Sequence, residues 1–373
     1  MKQDIVGLIY TGERVDELQE LTRYRAAAAL PMVGRYRLID FTLSNMIHSK
    51  IKNIGIIMQK NYHSLMDHLG SGREWNLHGK RSGLTILPPY MSRENVGVYE
   101  GLLDALHTNI GFMRRSVERN IAVSDSNVLY QVDFADVIRQ HLDSKADITL
   151  LYTKDRNVRR NGRGRYLDIQ DGQVTKIEFD PTIPHFENTY VGAFVARREL
   201  LIDLVDRAVA SGQHHFSRGM LSQMVQDRIY RVGAYECEGR VWVVDSVQTY
   251  FQSNMDFLND TFRAQAFRDD RPVWTKLRDE MPARYIGDSK VSNTLVADGC
   301  LIEGTVENSI LFRGVVVKPG AVIRNSIIMQ DAVISRGAEV ENCILDKQVT
   351  LRDNVRLIAP RSYPLVVAKN LTI

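Results

Sequence analysis

The chain repeats itself near its C-terminus, and the repeat leaves few folds open. "NSILFRGVVVKPGAVIR", "NSIIMQDAVISRGAEVE" and "NCILDKQVTLRDNVRL" begin at Asn308, Asn325 and Asn342, 17 residues apart each time (325 − 308 and 342 − 325). Within the copies, apolar and mostly β-branched residues recur about every six positions: Ile310, Val316, Val322, Ile328, then Val333 or Ile334. Fixed-period self-similarity with this hexad substructure predicts a parallel β-helix. Each hexad supplies one short strand, and three strands close a triangular coil around inward Ile, Val, Ala and Cys. One coil cannot cover its own apolar face, so coils must stack. A β-sandwich would show irregular turn spacing instead. In a stacked coil, Cys300 and Cys343 are small core residues and not reactive thiols.

Upstream, to about residue 260, strand-like and helix-like stretches alternate. Ile5–Tyr10 is an apolar strand. "RLIDFTLSNMIHSK" sets Leu38, Ile39, Leu43, Met46 and Ile47 at helical spacing, and "NIGIIMQ" is a buried strand. "NYHSLMDHLGSG" is a short helix ended by Gly70 and Gly72. "YEGLLDALHTNIGFM" is another helix, "NIAVSD" a strand, "DFADVIRQHL" a helix with Asp133 as its cap, and "DITLLYT" a strand. This rhythm predicts a doubly wound, mostly parallel sheet. "YLDIQ", Asp171-Gly172 and "VTKIEF" form a hairpin near its edge. The methionines Met32, Met46, Met58 and Met66 occupy apolar positions and read as core. A charged stretch with two prolines, Pro272 and Pro282, marks a boundary, so the domains are 1–260, a linker 261–290, and 291–373.

The bulk numbers exclude several classes. With 373 residues the chain can bury two sizeable cores, and a formal charge of +3 does not call for nucleic acid or an anionic membrane. Three scattered cysteines make no disulfide framework or Cys-x-x-Cys zinc motif. No apolar run is long enough for a membrane span, and the N-terminus lacks the pattern of a signal peptide, so a cytoplasmic protein is expected. The basic run "KDRNVRRNGRGRY" (154–166) reads as a solvated loop, with a phosphate or acidic partner as the alternative. The adjacent His214 and His215 lack zinc-site spacing.

The stretch "LIYTGERVDELQELT" (8–22) runs from a strand through a Gly-containing loop into a helix-like segment, where α/β proteins place a phosphate. Yet it carries Glu13, Asp16 and Glu17 against a lone Arg14.

"RYRLIDFTLSN" (35–45) resembles the G-[KR]-[YF]-R-[LI]-I-D-F-x-L-S-N block of ADP-glucose pyrophosphorylases. "YEGLLDALHTN", "VLYQVDF" and "TYFQSNMDFL" resemble three further blocks of that family, so the similarity covers nearly the whole chain. The resemblance implies a nucleotide-diphospho-sugar transferase, Rossmann-like domain over 1–260, followed by a left-handed parallel β-helix of hexapeptide repeats over 291–373.

The departures concentrate where the family carries its chemistry. Its phosphate loop, G-G-x-G-[TS]-R-L, stands here as "GERVDEL": Gly12 and Leu18 fit, Val15 replaces a Gly, and Glu17 replaces the catalytic Arg. Val15 resists positive φ and close backbone approach. Glu17 reverses a charge; two unit charges about 4 Å apart interact by roughly 4 kcal/mol at an effective dielectric near 20. In "RAAAA", Arg25 is kept but Ala27 replaces a Lys. In the W-Y-R-G-T motif Tyr99 and Gly101 remain, whereas Val98, Glu100 and Leu102 replace Trp, Arg and Thr; Asp104 matches. The metal-binding Asp of G-D-H becomes Asn127 and the second metal Asp aligns to Val243, with Asp125 and Asp245 two positions away as possible substitutes. The sugar-phosphate E-K-P reads "DPT" (180–182), without its Lys.

Phosphoryl transfer on this fold is positioning plus charge neutralisation. A cleft that has lost these cations and metal carboxylates is expected to have little or no activity alone, with Mg²⁺ needed only for residual turnover. The eroded loop beside an intact "YRLIDF" is similar to the family's bacterial regulatory branch, a paralogous glycogen-biosynthesis subunit. That resemblance implies a hetero-oligomer, a tetramer, with a catalytic ADP-glucose pyrophosphorylase subunit. It also implies a sugar-phosphate effector, with Arg25 and Arg37 as effector-binding residues and a structural ion pair as their other reading. Residual substrate-binding positions are Gly12, Tyr99, Gly101 and Asp104. The alternatives are an active nucleotidyltransferase using Asp125 and Asp245, and a β-helix scaffold or acyltransferase. Against the last, residues 290–373 contain no His.

Overall fold

The computed structural model describes residues 4–12, 15–79, 82–89 and 99–373. Glu13, Arg14 and Val98, singled out above, lie outside the described residues. The chain packs as two compact units that interleave along the sequence. One comprises Met1–Glu13, Phe41–Trp242 and Asp270–Trp274; the other comprises Arg14–Asp40, Val243–Asp269 and Thr275–Ile373.

The first unit is built on a nine-stranded sheet. Its strands are β1 (Ile5–Tyr10), β2 (Ile54–Ile57), β3 (Leu84–Leu87), β4 (Asn120–Asp125), β5 (Ile148–Thr153), β6 (Arg165–Gln170), β7 (Gln173–Phe179), β8 (Asn188–Arg197) and β9 (Val232–Glu236). Their order is β3-β2-β1-β4-β8-β5-β9-β7-β6, and β7 and β8 run against the other strands. β1 and β5 are buried at every position, as apolar strands covered on both faces must be. β6 and β7 form the hairpin at the edge; Asp171 (φ 50°) and Gly172 (φ 73°) supply the paired positive φ of its two-residue turn.

Helix Phe134–Asp143 starts at Asp133, whose carboxylate accepts the Ala135 amide at 2.9 Å. Helix His63–Leu69 ends at Gly70. The segment read as one helix over "YEGLLDALHTNIGFM" is two, Leu102–Thr108 and Ile110–Arg115. The break falls at Asn109, whose side-chain amide donates to the Ala105 carbonyl at 2.9 Å and so competes with the helical ladder. Met32, Met46 and Met58 are fully buried, but Met66 is 38% exposed, because its helix turns Leu65, His68 and Leu69 inward instead.

In the second unit, three five-stranded parallel sheets stack as a left-handed β-helix. Ile310 pairs with Ile327 and Ile327 with Ile344, each 17 residues on, whereas Leu301 pairs with Val316 one 15-residue coil later. The inward residues are Val317, Ile323, Ile328, Ile334, Val340, Leu345 and Leu351, all essentially inaccessible, at steps of five or six residues. Val316 and Val322, in the hexad pattern, are the half-buried neighbours, since successive strand residues face opposite ways. Cys300 and Cys343 are fully buried, and burial pushes both thiols up to about 11, so neither is a thiolate near neutral pH.

The helix-like stretch after the first loop is only a four-residue 3₁₀ turn, Gln19–Thr22. Just Leu18 and Leu21 are buried there, too few apolar positions for a helical stripe. Within the first unit, Asp270–Trp274 is anchored by the Trp274 amide on Ser44 Oγ (2.9 Å) and by Trp75 Nε1 on the Trp274 carbonyl (3.1 Å). No helix among the described residues is long and apolar enough to cross a membrane.

Candidate functional site

In open α/β sheets, ligands bind beyond the carboxyl ends of the strands. In the first unit this edge is formed by β1 and β4, paired as far as Tyr10 opposite Asp125. Gly12 follows β1 and is closely covered: a Cβ there would stand 2.4 Å from Tyr10 Oη and 2.5 Å from Gln59 Nε2. Gln59 Nε2 also donates to the Tyr99 carbonyl at 3.2 Å, and Tyr99 is buried. Thus Gly12 and Tyr99 are brought together through one amide.

Gly101 caps helix Leu102–Thr108, and a Cβ on it would stand 2.4 Å from the His214 carbonyl. Only glycine permits that approach. Asp104 Oδ2 accepts the Glu100 amide at 3.2 Å, while the exposed Glu100 carboxylate faces His214 Nε2 at 3.7 Å. This corner therefore presents acids where the resemblance expects a cation.

Asp125 ends β4 with its side chain 14% exposed. Burial raises its carboxyl above the usual carboxylate range, opposed by Arg165. Arg165 Nη2 lies 3.3 Å from Asp125 Oδ2, and Nη1 donates to Ser217 Oγ at 3.1 Å. The guanidinium stacks 4.4 Å from the centre of the buried Tyr190 ring. Asn127 is buried and neutral. Asp180, at the position of the sugar-phosphate motif, accepts the Gly164 amide at 2.9 Å and pairs with Arg218. Both guanidiniums are thus engaged by carboxylates. The basic run 154–166 is not a plain loop: it contains the 3₁₀ turn Arg156–Val158, capped by Asp155, and it ends in β6, whose first residue is Arg165.

In the second unit, Val15 is half-buried and its carbonyl accepts the Leu18 amide at 2.9 Å. The main-chain carbonyl of the exposed Glu17 accepts the Val247 amide at 3.0 Å. Ala27 is buried in the turn Ala27–Ala29. Val243 ends strand Trp242–Val243. Asp245 is buried beside the capping box of helix Val247–Asp256, its Oδ1 accepting Thr249 Oγ1 at 3.1 Å.

Arg25 is buried, and its Nη2 donates to both carboxylate oxygens of Asp346, at 2.8 and 2.9 Å. Next to Asp346, Lys347 is depressed to about 7 by burial and by Arg37 and Arg25. Its ammonium makes no hydrogen bond among the described residues. Lys347 therefore feels two guanidiniums, of which Arg25 is held by Asp346. The sequence singled out Arg25 and Arg37 but not Asp346 and Lys347, which lie in an ordinary hexad of the repeat. It missed Arg165 and Ser217 in the same way, and only the unusual density of arginine around residue 160 was a signal.

The family's Mg²⁺ does not fit these residues. Asn127 carries no charge, Asp125 is engaged by a guanidinium, and no group of three or more His, Cys, Asp or Glu among the described residues is placed to hold a metal.

Residues 6–259 match the family model described as nucleotidyl transferase, and residues 281–358 match the one described as GlmU-like, C-terminal hexapeptide. The chain is 34% identical to the glycogen biosynthesis protein GlgD of Bacillus subtilis, over 98% of this chain and 96% of the relative. It is 34% identical to the glucose-1-phosphate adenylyltransferase of Thermomicrobium roseum, over 86% of this chain and 79% of that protein. To the enzyme of the same name from Geobacillus stearothermophilus it is 29% identical, over 87% and 84%. With most of its length matched and its two-part architecture accounted for, the chain belongs to the nucleotidyl transferase family.

Proposed function

We propose that this chain is a non-catalytic or weakly catalytic regulatory subunit of a glucose-1-phosphate adenylyltransferase. It acts in the cytoplasm, in a hetero-oligomer with a catalytic homologue that makes ADP-glucose for glycogen synthesis. The observation that carries the reading is the altered charge of the first unit's cleft: Glu100 stands where the family carries an Arg, and Asp125 and Asp180 hold the guanidiniums of Arg165 and Arg218. A triphosphate needs free cations, and these are spent on carboxylates within the chain. The similarity to a GlgD protein over nearly all of both chains supports the same reading.

The regulatory task falls to the second unit. Arg37 and Lys347 feel each other's charge at a partly desolvated centre that suits a sugar-phosphate effector, and Arg25, held by Asp346, adds to its positive potential. Effector binding there would shift the conformational equilibrium of the partner subunit.

The test is an assay of ADP-glucose formation from ATP and glucose 1-phosphate. The chain, a catalytic homologue and their co-expressed complex are compared with and without sugar phosphates. The expected result is near-background turnover by the chain alone and a complex whose rate or effector response differs from that of the homologue. A complex that behaves as the sum of its parts under every effector would overturn the proposal. Ordinary turnover by the chain alone would point to an enzyme using Asp125 and Asp245.

A further inference from the structure

A carboxylate as buried as Asp125 requires a counter-charge. The family's metal-binding Asp aligns with the neutral Asn127, so a divalent ion in this cleft would have to turn to Asp125. Here four separate elements assemble a different answer. β4 ends in Asp125, and β6 begins with Arg165, whose Nη2 lies 3.3 Å from Asp125 Oδ2. β8 supplies the Tyr190 ring beneath the guanidinium, and the helical turn Phe216–Leu221 supplies Ser217 Oγ at 3.1 Å. β8 also supplies room. At Gly192 (φ 79°) the strand breaks register against β5, between Tyr190 and Phe194, and a Cβ there would stand 2.1 Å from Asp125 Oδ2.

This is a built cation seat. The guanidinium has a carboxylate on one edge, a hydroxyl on another and an aromatic face below, the arrangement that suits Arg and not Lys. A divalent ion at Asp125 would share that carboxylate with a guanidinium already 3.3 Å from Oδ2, leaving a net positive centre around a mostly buried carboxylate.

We propose that Arg165 is a resident cation that neutralises Asp125 in place of a metal, so that this cleft is closed to divalent ions. The inference stands whether or not the chain is a regulatory subunit. It predicts that any nucleotide or sugar bound by the first unit binds independently of Mg²⁺.

Two measurements on the full chain test it. In the first, Mn²⁺ is titrated into the protein and the free ion is followed by electron paramagnetic resonance. No stoichiometric uptake is expected at micromolar to low-millimolar Mn²⁺. Uptake of one ion per chain that Asp125→Asn abolishes would overturn the proposal. The second is a double-mutant cycle of Asp125→Asn and Arg165→Met, read by urea unfolding. Arg165→Met should raise the unfolding constant about a hundredfold in the native background, and about tenfold or less beside Asp125→Asn. Equal effects in the two backgrounds would show that Arg165 does not serve Asp125 and would sink the idea. If Arg165→Met alone does not fold, recovery of folding in the double variant counts for the proposal, and continued failure counts against it.

Discussion

At the scale of single residues, charges are deployed inward. Arg25 and Asp346 are both almost inaccessible and hydrogen-bonded to each other, so neither tolerates losing the other. Asp346→Ala should cost about 3–5 kcal/mol, because it strands a buried guanidinium beside Lys347; urea unfolding at neutral pH measures it. Lys347 gives a pH signature. It is a base with a folded-state value of about 7 against an ordinary 10.5, so between these limits the unfolded chain holds more protons than the folded one. Stability contributed at this position therefore rises as pH climbs through the window and is lowest below it, where the ammonium is buried charged. Lys347→Met should flatten that rise in the pH dependence of the urea midpoint. The same protonation should make a sugar phosphate bind more tightly below pH 7 than above it, a dependence that calorimetry would detect and that Lys347→Met would remove. Arg25 was legible in the sequence because a motif surrounds it. Asp346, 321 positions away, was not, because pairing at that range is set by the fold.

At the scale of elements, the β-helix is held by more than its apolar interior. Asn293, Asn308, Asn325 and Asn342 all take positive φ, between 43° and 54°, where the chain turns between sheets. Their side chains stack: Asn293 Nδ2 donates to Asn308 Oδ1 at 2.7 Å, and Asn308 donates to Asn325. Asparagine tolerates the left-handed conformation and hydrogen-bonds along the stack, so it recurs at the start of each copy. Asn325→Ala should cost about 1–3 kcal/mol through the left-handed penalty and the lost amide contact, with Asn325→Gly costing less; denaturant unfolding distinguishes them. The repeat's period was legible because the same steric demand returns every coil. The break at Asn109 was not, because it depends on where one amide side chain points, which periodicity does not record. Likewise the register shift in β8 left no mark beyond a glycine. Gly192→Ala should disrupt the first unit severely, since its methyl would collide with Asp125, and loss of soluble folded protein or of near-ultraviolet dichroism would show it.

At the scale of the whole molecule, packing does not follow the chain. Residues 14–40 and 243–269 belong to the same compact unit as the β-helix. Gln19 reaches Tyr363 at 3.3 Å and Arg25 reaches Asp346, so the stretch after the first loop is anchored in the last coils. Native-state hydrogen exchange on the intact chain should show amides of 14–40 opening with those of the β-helix at rising denaturant. Amides of β1, β4 and β5 should open as a separate group. Exchange of 14–40 in step with the sheet would contradict this grouping. No shift of composition marks the division, because a long-range pairing involves ordinary residues at both ends.

The sequence by itself determined the two architectures and the erosion of the phosphate loop. Periodicity and turn chemistry are local, so they survive in one dimension. Only the tertiary structure decided what occupies the emptied positions: Arg165 on Asp125, Arg218 on Asp180, Asp346 between Arg25 and Lys347. Those pairings depend on desolvation and on distances across many residues, and a string of letters carries neither.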